Sequence, residues 1–210
     1  MFEWLPAIAA ARKTFDFKKG QSLFEEGEPV SGIYFIVSGK VKVHKRWGAD
    51  KELIVRIAGD GEIVGHRGVG KKPIYPVSAT TLEAVTACFI DLDFFQASLK
   101  VNADYALKLL LFLASELQES ENKMRNLAHM QVKGRIATAL LNLKDQFGID
   151  VNGSLSFQLS RQDLASFAGT TYETAFRILN ELAADGIIEV AGKDIAILSK
   201  QALIKCIEET

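Results

Sequence analysis

The spacing of hydrophobic positions changes along the chain and predicts three kinds of structure. Residues 2–12 have the pattern of a short amphipathic helix. Between residues 13 and 92, short apolar runs alternate with polar residues and glycines, and Ser38-Gly39 separates two of them as in a hairpin. Many short strands at this spacing predict a β-roll, barrel or sandwich. From residue 93 to 130 the spacing becomes helical, and shorter helices follow it.

The long helical segment carries a narrow apolar stripe with a seven-residue repeat. The stripe consists of Leu110, Leu113, Leu117, Met124 and Leu127. Ser120 interrupts it, and charged residues such as Glu116 flank it. A stripe this narrow favours a parallel two-stranded coiled coil between two copies of the chain. The alternative is a helix that packs on its own β domain.

Residues 159–182 have the pattern of two helices joined by a tight turn. Ser160 is the expected cap of the first helix and Thr170 or Thr171 that of the second, and Gly169 lies where the chain must turn. The second helix has an apolar face formed by Ala175, Ile178, Leu179 and Leu182. Its other face is polar and suits a major groove of DNA. A predicted hairpin over residues 187–190 and 195–197 extends this motif to a winged helix. A generic helical hairpin with a solvated face is the alternative.

Composition supports a folded protein but supplies no general attraction to DNA. The chain has 210 residues, of which 48% are hydrophobic, enough for one large or two small domains. Its net charge is −1, and residues 132–210 hold eight basic and ten acidic side chains, a net charge of −2. Affinity for DNA would therefore come from a local face that bears Arg161, Arg177 and Lys193.

Several classes of protein are disfavoured by the sequence. Cys88 and Cys206 fit no zinc or iron–sulfur spacing, and Cys88 is expected to be a buried core thiol. The apolar run at residues 109–114 is far too short to span a membrane, and no basic leader precedes it. No nucleophile–base set, metal motif or phosphate-binding loop is present. We therefore expect a cytoplasmic protein that is not an enzyme, has no metal site and has no membrane partner.

The segments together resemble the family of the catabolite activator protein and the fumarate–nitrate reductase regulator. Residues 24–41, 126–143 and 160–179 carry this resemblance, which extends over nearly the whole chain. It implies an α+β fold with three parts. These are an N-terminal cyclic-nucleotide-binding-like β-roll sensor (residues 1–102), a dimerisation helix and hinge (103–130), and a C-terminal winged helix-turn-helix domain (131–210). The implied function is that of a bacterial, homodimeric transcription regulator on a palindromic operator in double-stranded DNA, with RNA polymerase as a further candidate partner.

By this resemblance, Glu173 and Arg177 read bases. The chemistry agrees, because arginine can bind guanine with two hydrogen bonds and glutamate can accept one from cytosine. Tyr172 stands where the catabolite activator has arginine, so a different target sequence is expected. Phosphate contacts are expected from the start of the first helix and from the wing. The predicted DNA-binding residues are Arg161, Gln162, Thr171, Tyr172, Glu173, Phe176, Arg177 and Lys193.

The effector site departs from the family's pattern. The family's Gly-Glu pair is present as Gly61-Glu62, but Pro73-Ile74 stands at the family's Arg-Ser positions. A cyclic phosphate would lose its arginine, and the loop amides of residues 61–65 or a substitute such as Arg67 would have to replace it. We therefore predict that cyclic AMP is not the effector. The predicted pocket residues are Gly61, Glu62, Ile63, Val64, Gly65, His66, Arg67, Ser120 and Glu121.

The sequence leaves the effector, and any cofactor, undetermined. The pocket could hold a less anionic small molecule, or be filled by its own side chains so that the dimer binds DNA without an effector. A haem-sensing regulator is an alternative, because His66 lies near the position of a haem ligand in one relative. His44 is expected on the solvated face of its strand. A nucleotide-binding regulatory module without DNA binding is another alternative, but it leaves the winged helix unexplained.

Overall fold

The computed structural model describes residues 12–48 and 51–208. The chain divides into two compact units, residues 1–118 and 119–210. The amphipathic helix predicted from Phe2 onward falls on residues 1–11, outside the described residues. No helix of the described part is long and apolar enough to cross a membrane.

Two four-stranded antiparallel sheets form the first unit. One sheet has the order β1-β8-β3-β6 and the other the order β2-β7-β4-β5. The strands are β1 (Lys13–Phe17), β2 (Ser22–Phe24), β3 (Gly32–Ser38), β4 (Val41–Trp47), β5 (Lys51–Ala58), β6 (Ile63–Val64), β7 (Ser78–Thr81) and β8 (Val85–Asp91). Alternate residues of these strands, such as Val41, Val43 and Ala87, are buried in one apolar cluster. The predicted β-roll is confirmed.

The solvent exposure of two side chains in the sheets, His44 and Cys88, differs from the prediction. The pairing of β4 with β5 shifts its register at His44, which turns this residue inward. His44 is fully buried, with Nε2 2.9 Å from Thr80 Oγ1 and Nδ1 2.9 Å from Glu52 Oε2. Burial lowers the pKa of His44, while the charge of Glu52 opposes the shift. The prediction of a solvated His44 is therefore wrong, and Cys88, predicted to be buried, is half-buried.

The helical segment predicted over residues 93–130 is two helices, α1 (Leu92–Val101) and α2 (Ala103–His129). Asn102 between them has an extended backbone, and its Oδ1 accepts a hydrogen bond from the amide of Tyr105 at 2.9 Å. This side chain caps α2 and so separates the helices. The first turns of α2 pack on the β-roll, where Tyr105 and Leu109 join a cluster around Ile33 and Phe95.

The second unit is a winged helix. Its elements are α3 (Val132–Phe147), α4 (Arg161–Ala168), α5 (Tyr172–Ala184), the hairpin β9 (Ile188–Ala191) and β10 (Asp194–Ile197), and α6 (Lys200–Glu208). Helices α3 and α6 approach closely at Gly134, because a Cβ atom there would lie 2.8 Å from the carbonyl oxygen of Cys206. The predicted winged helix-turn-helix is confirmed.

Candidate DNA interface and effector pocket

The turn between α4 and α5 is fixed by the capping residues that the sequence predicts. Ser160 Oγ accepts a hydrogen bond from the amide of Asp163 at 3.0 Å, and Thr171 Oγ1 accepts one from Thr174 at 3.3 Å. Gly169 lies in the left-handed region, with φ +66° and ψ +46°, a conformation that glycine adopts without strain. Ser160 and Thr171 therefore fix where α4 and α5 begin, and Gly169 turns the chain between the two helices.

Arg135 of α3, for which the sequence predicted no contact of its own, also holds this turn. Its Nε donates to the carbonyl of Ala168 at 3.0 Å, and Nη2 donates to that of Gly169 at 3.2 Å. Its Nη1 donates to the carbonyl of Met130 at 2.9 Å. One guanidinium therefore satisfies carbonyls at the end of α4 and ahead of α3.

Helix α5 has the two faces that the sequence predicts. Its inward face is buried and consists of Ala175, Ile178, Leu179 and Leu182. On the outward face, the rings of Tyr172 and Phe176 stack in parallel at 6.2 Å, and both are exposed. Glu173 is exposed, and the side chain of Arg177 is 69% exposed, with a loose contact of 3.6 Å to Glu181. A polar and aromatic surface is thus available to a partner along α5.

The predicted phosphate-binding residues do not all lie in the same environment. Gln162 and Lys193 are exposed. Arg161 is half-buried, and its Nη2 donates to the carbonyl of Gly192 in the wing turn at 2.9 Å. Burial lowers the pKa of Arg161. Arg161 therefore ties α4 to the wing, a role that sequence alone cannot show because the two residues are distant along the chain.

In the first unit, basic side chains converge on a buried carboxylate of α2. Glu116 is only 8% exposed. Its Oε2 accepts hydrogen bonds from Arg67 Nη2 at 2.7 Å and Arg67 Nε at 3.0 Å. His66 Nε2 lies 3.3 Å from the same oxygen, and Arg56 Nε lies 3.2 Å from Oε1. The ring of Phe112, one turn earlier on α2, contacts both His66 and Arg56.

These contacts keep Glu116 ionised. Burial alone would raise the pKa of its carboxyl group, but the hydrogen bond from His66, the charge of Arg56 and the hydrogen bonds from Arg67 lower that pKa to about 2. Arg56 also pairs with Glu62 at 3.0 Å. The cluster therefore alternates cationic and anionic groups, from Glu62 through Arg56 to Glu116 and Arg67.

The structure changes the expected role of the loop between β5 and β6. The amide of Gly61 donates to Ile36 at 2.8 Å and the amide of Glu62 donates to Gly59 at 3.1 Å, so neither is available to an anion. These two amides therefore cannot replace the missing arginine, and the pocket role of residues 61–65 stays a prediction. The carbonyl of Ile63 accepts from Arg56 Nη1 at 3.0 Å.

The remaining pocket residues are distributed along the chain. Val64 is buried in the core, and Gly65 has φ +92°, which lets the chain turn from β6 into the 3₁₀ helix His66–Gly68. Ser120 is half-buried and Glu121 is exposed. Both belong to the second unit, and their predicted role in the pocket stays a prediction.

The segment at the family's Arg-Ser positions offers no polar side chain. The carbonyl of Pro73 accepts a hydrogen bond from the amide of Val30 at 2.9 Å, and Ile74 is bridged to Pro29. The buried charges of this region come instead from Arg56 and Glu116, two residues outside the predicted pocket. Glu116, one of the charged residues that flank the apolar stripe in the sequence, is buried, and its carboxylate turns into the β-roll.

The predicted dimer stripe of α2 is largely open to solvent. Leu110, Leu117 and Met124 are each about 60% exposed, Leu113 is 38% exposed and Leu127 is half-buried. Tyr105 and Leu109 pack on the β-roll, as the alternative of a helix on its own β domain predicts, and the coiled coil between two copies stays a prediction. Helix α2 covers the roll with one face and presents an apolar stripe on another.

Each of the two units contains a domain of a known family. The family model of the cyclic nucleotide-binding domain matches residues 14–102. The model of the Crp-like helix-turn-helix domain matches residues 134–206. The chain belongs to the CRP/FNR family of transcription regulators. It is therefore a DNA-binding regulator with an effector-binding domain rather than an enzyme.

Relatives within this family cover nearly the whole chain. A CRP-like cAMP-activated global transcriptional regulator of Mycobacterium tuberculosis is 31% identical over 204 residues, 95% of this chain and 91% of the relative. The structure is similar to that of the c-di-GMP responsive regulator CLP of Xanthomonas campestris, with a TM-score of 0.82 and 26% identity over 95% of this chain and all of that one. FixK2 of Bradyrhizobium japonicum has the same fold, with a TM-score of 0.83 and 24% identity over 93% of this chain and 96% of its own.

Proposed function

We propose that this regulator acts in the cytoplasm as a homodimer that binds a palindromic operator through α5. The observation that carries the proposal is the outward face of α5, where Glu173 and Arg177 are exposed beside the stacked rings of Tyr172 and Phe176. Arg177 suits the O6 and N7 atoms of guanine, and Glu173 suits the amino group of cytosine. Two α5 helices related by a two-fold axis would read half-sites about 34 Å apart.

The wing and the start of α4 would set the position of the protein on the phosphate backbone. Lys193 and Gln162 are exposed and can contact phosphates directly. Arg161 supports the phosphate contact of Lys193 indirectly, because its hydrogen bond to Gly192 holds the wing turn that carries Lys193. Because residues 132–210 carry a net charge of −2, contact with phosphates depends on this local basic surface and not on a general positive charge.

Base reading by Arg177 is tested by measuring affinity for a randomised operator library. We expect Arg177→Ala to cost about 1–3 kcal/mol on the preferred operator and to relax the preference at one base pair of each half-site. Lys193→Ala is the matched control, and we expect it to weaken binding to all sequences alike and to reduce the salt dependence. Equal loss on every sequence for Arg177→Ala would show that it contacts only phosphate.

We further propose that the β-roll does not use cyclic AMP. The printed names of two relatives already differ in their ligands, one being cAMP-activated and the other c-di-GMP responsive, so relatedness alone does not select an effector. In this chain, Pro73 and Ile74 supply no donor, and the amides of Gly61 and Glu62 are engaged. The guanidinium groups of Arg56 and Arg67 already face Glu116. An added cyclic phosphate would meet a carboxylate rather than a free guanidinium.

A further inference from the structure

The contacts of Glu116 have the geometry of a bound carboxylate ligand. Its two oxygens are divided between two guanidinium groups, with Oε1 facing Arg56 and Oε2 receiving both Nε and Nη2 of Arg67. His66, whose side chain is 3% exposed, adds a third group beside Oε2. A carboxylate buried on this scale needs such compensation, because an unpaired buried anion is costly.

The partners of Glu116 come from a different part of the fold than Glu116 itself. Arg56 lies on β5, and His66 and Arg67 lie in the 3₁₀ helix after β6, whereas Glu116 lies on α2. Phe112 of α2 packs beside the same cationic groups. The cluster is therefore an anion site of the β-roll into which a helix inserts its own side chain.

We infer that Arg56, His66 and Arg67 form a carboxylate-binding site whose resident ligand is Glu116. The occupied site holds α2 against the β-roll without any added molecule. A small molecule that bears a carboxylate takes the same place only when Glu116 leaves it, so ligand binding and docking of α2 at this point exclude each other. The regulatory consequence rests on the proposed effector-sensing role of the β-roll, whereas the binding site itself does not.

The site is tested by removing its resident ligand and supplying a substitute. In Glu116→Ala, the three donors lose their partner, and we expect the melting temperature to fall by roughly 5–10 °C. Acetate, exchanged for chloride at constant ionic strength, is expected to restore at least half of that loss in a saturable manner. Acetamide, which has the same shape without the charge, is expected to restore nothing, and the wild type should respond to neither.

Two further variants control this experiment. Glu119→Ala removes an exposed carboxylate of the same helix and is expected to melt as the wild type does. Glu116→Gln fills the space without a charge, so we expect it to be destabilised and insensitive to acetate. If Glu116→Ala does not fold by itself, recovery of folded protein on refolding in acetate but not in acetamide supports the inference equally.

The inference is overturned if Glu116→Ala melts as the wild type does, or if acetate and acetamide act alike in melting or refolding. None of these measurements uses DNA, so they separate this inference from the proposed DNA readout. The regulatory consequence has its own measurement, which is the affinity of Glu116→Ala for the operator. We expect that affinity to fall at least tenfold and to stay low in acetate, because acetate fills the site without tying α2 to it. An affinity equal to the wild type's in either buffer would remove the link to DNA binding.

Discussion

The exposed stripe of α2 allows a quantitative prediction about assembly. We expect the double substitution Leu113→Lys and Leu117→Lys to convert the protein from dimer to monomer. Both side chains lie on the seven-residue repeat, and they are 38% and 60% exposed in the single chain. A parallel pairing of two α2 helices would bury them at the seam.

The magnitude follows from the area that pairing removes from water. Full burial of a leucine contributes about 1.5–3 kcal/mol, so a side chain that starts about half-exposed gains roughly 1 kcal/mol on pairing. Two positions on two chains give roughly 4 kcal/mol, which corresponds to about a thousandfold in the dimer dissociation constant. Four lysine charges placed at the seam add repulsion to that loss.

Sedimentation velocity over a range of protein concentrations measures this change directly. The matched control is Leu111→Lys, because Leu111 is 59% exposed but lies outside the repeat on the same helix. We expect the control to sediment as the wild type does. An unchanged dimer in the double variant, or equal dissociation of the double variant and the control, would refute a seam at these positions.

Three further predictions concern the pocket and the wing. Calorimetric titration with cyclic AMP and cyclic GMP is expected to show no micromolar binding, and binding that is lost on neutralising Arg67 would contradict this. The pKa of Glu116 is lowered from 4.5 to about 2. Its contribution to the free energy of unfolding is therefore complete above pH 4.5 and is lost as the pH falls from 4.5 towards 2. Urea unfolding of Glu116→Gln should accordingly depend less on pH in that window than unfolding of the wild type. Arg161→Met is expected to speed amide hydrogen exchange in β9 and β10 roughly tenfold, which corresponds to about 1.4 kcal/mol in the free energy of opening. Lys193→Met is the control and is expected to leave the exchange rate unchanged. The same exchange rate in both variants would contradict a role for Arg161 in holding the wing.

The helix-turn-helix could be predicted because its information is local. Ser160, Thr171 and Gly169 each act on residues within a few positions of themselves, and the buried face of α5 follows from a simple 3.6-residue repeat. The same reasoning missed the end of α1, because Asn102 interrupts an apolar pattern that continues on both sides of it. A hydrophobic repeat is judged over many residues, so one polar residue at a helix boundary hardly changes it.

The cluster around Glu116 could be predicted only in part, as His66 and Arg67, because it is made by contacts distant along the chain. The pairs Arg56–Glu116 and Arg67–Glu116 join residues 60 and 49 positions apart, and nothing in the neighbourhood of Glu116 distinguishes it from the other acids of α2. His44 shows the same limit, since the register shift that turns it inward depends on β5. The alternation of residues along one strand predicts which way a side chain points only where the strand keeps a regular register with the strand beside it.

The positions of the two cysteines give each compact unit its own chemical reporter. Cys206 is buried on α6 at its close approach to α3, and Cys88 is half-buried on the β-roll. A thiol reagent can reach Cys206 only when the winged helix opens, so its rate of modification measures that opening. The variant Cys88→Ser, which keeps only Cys206, would therefore let the transient opening of the DNA-binding unit be timed in the full-length chain, whereas Cys206→Ser leaves the half-buried Cys88 as a label on the β-roll.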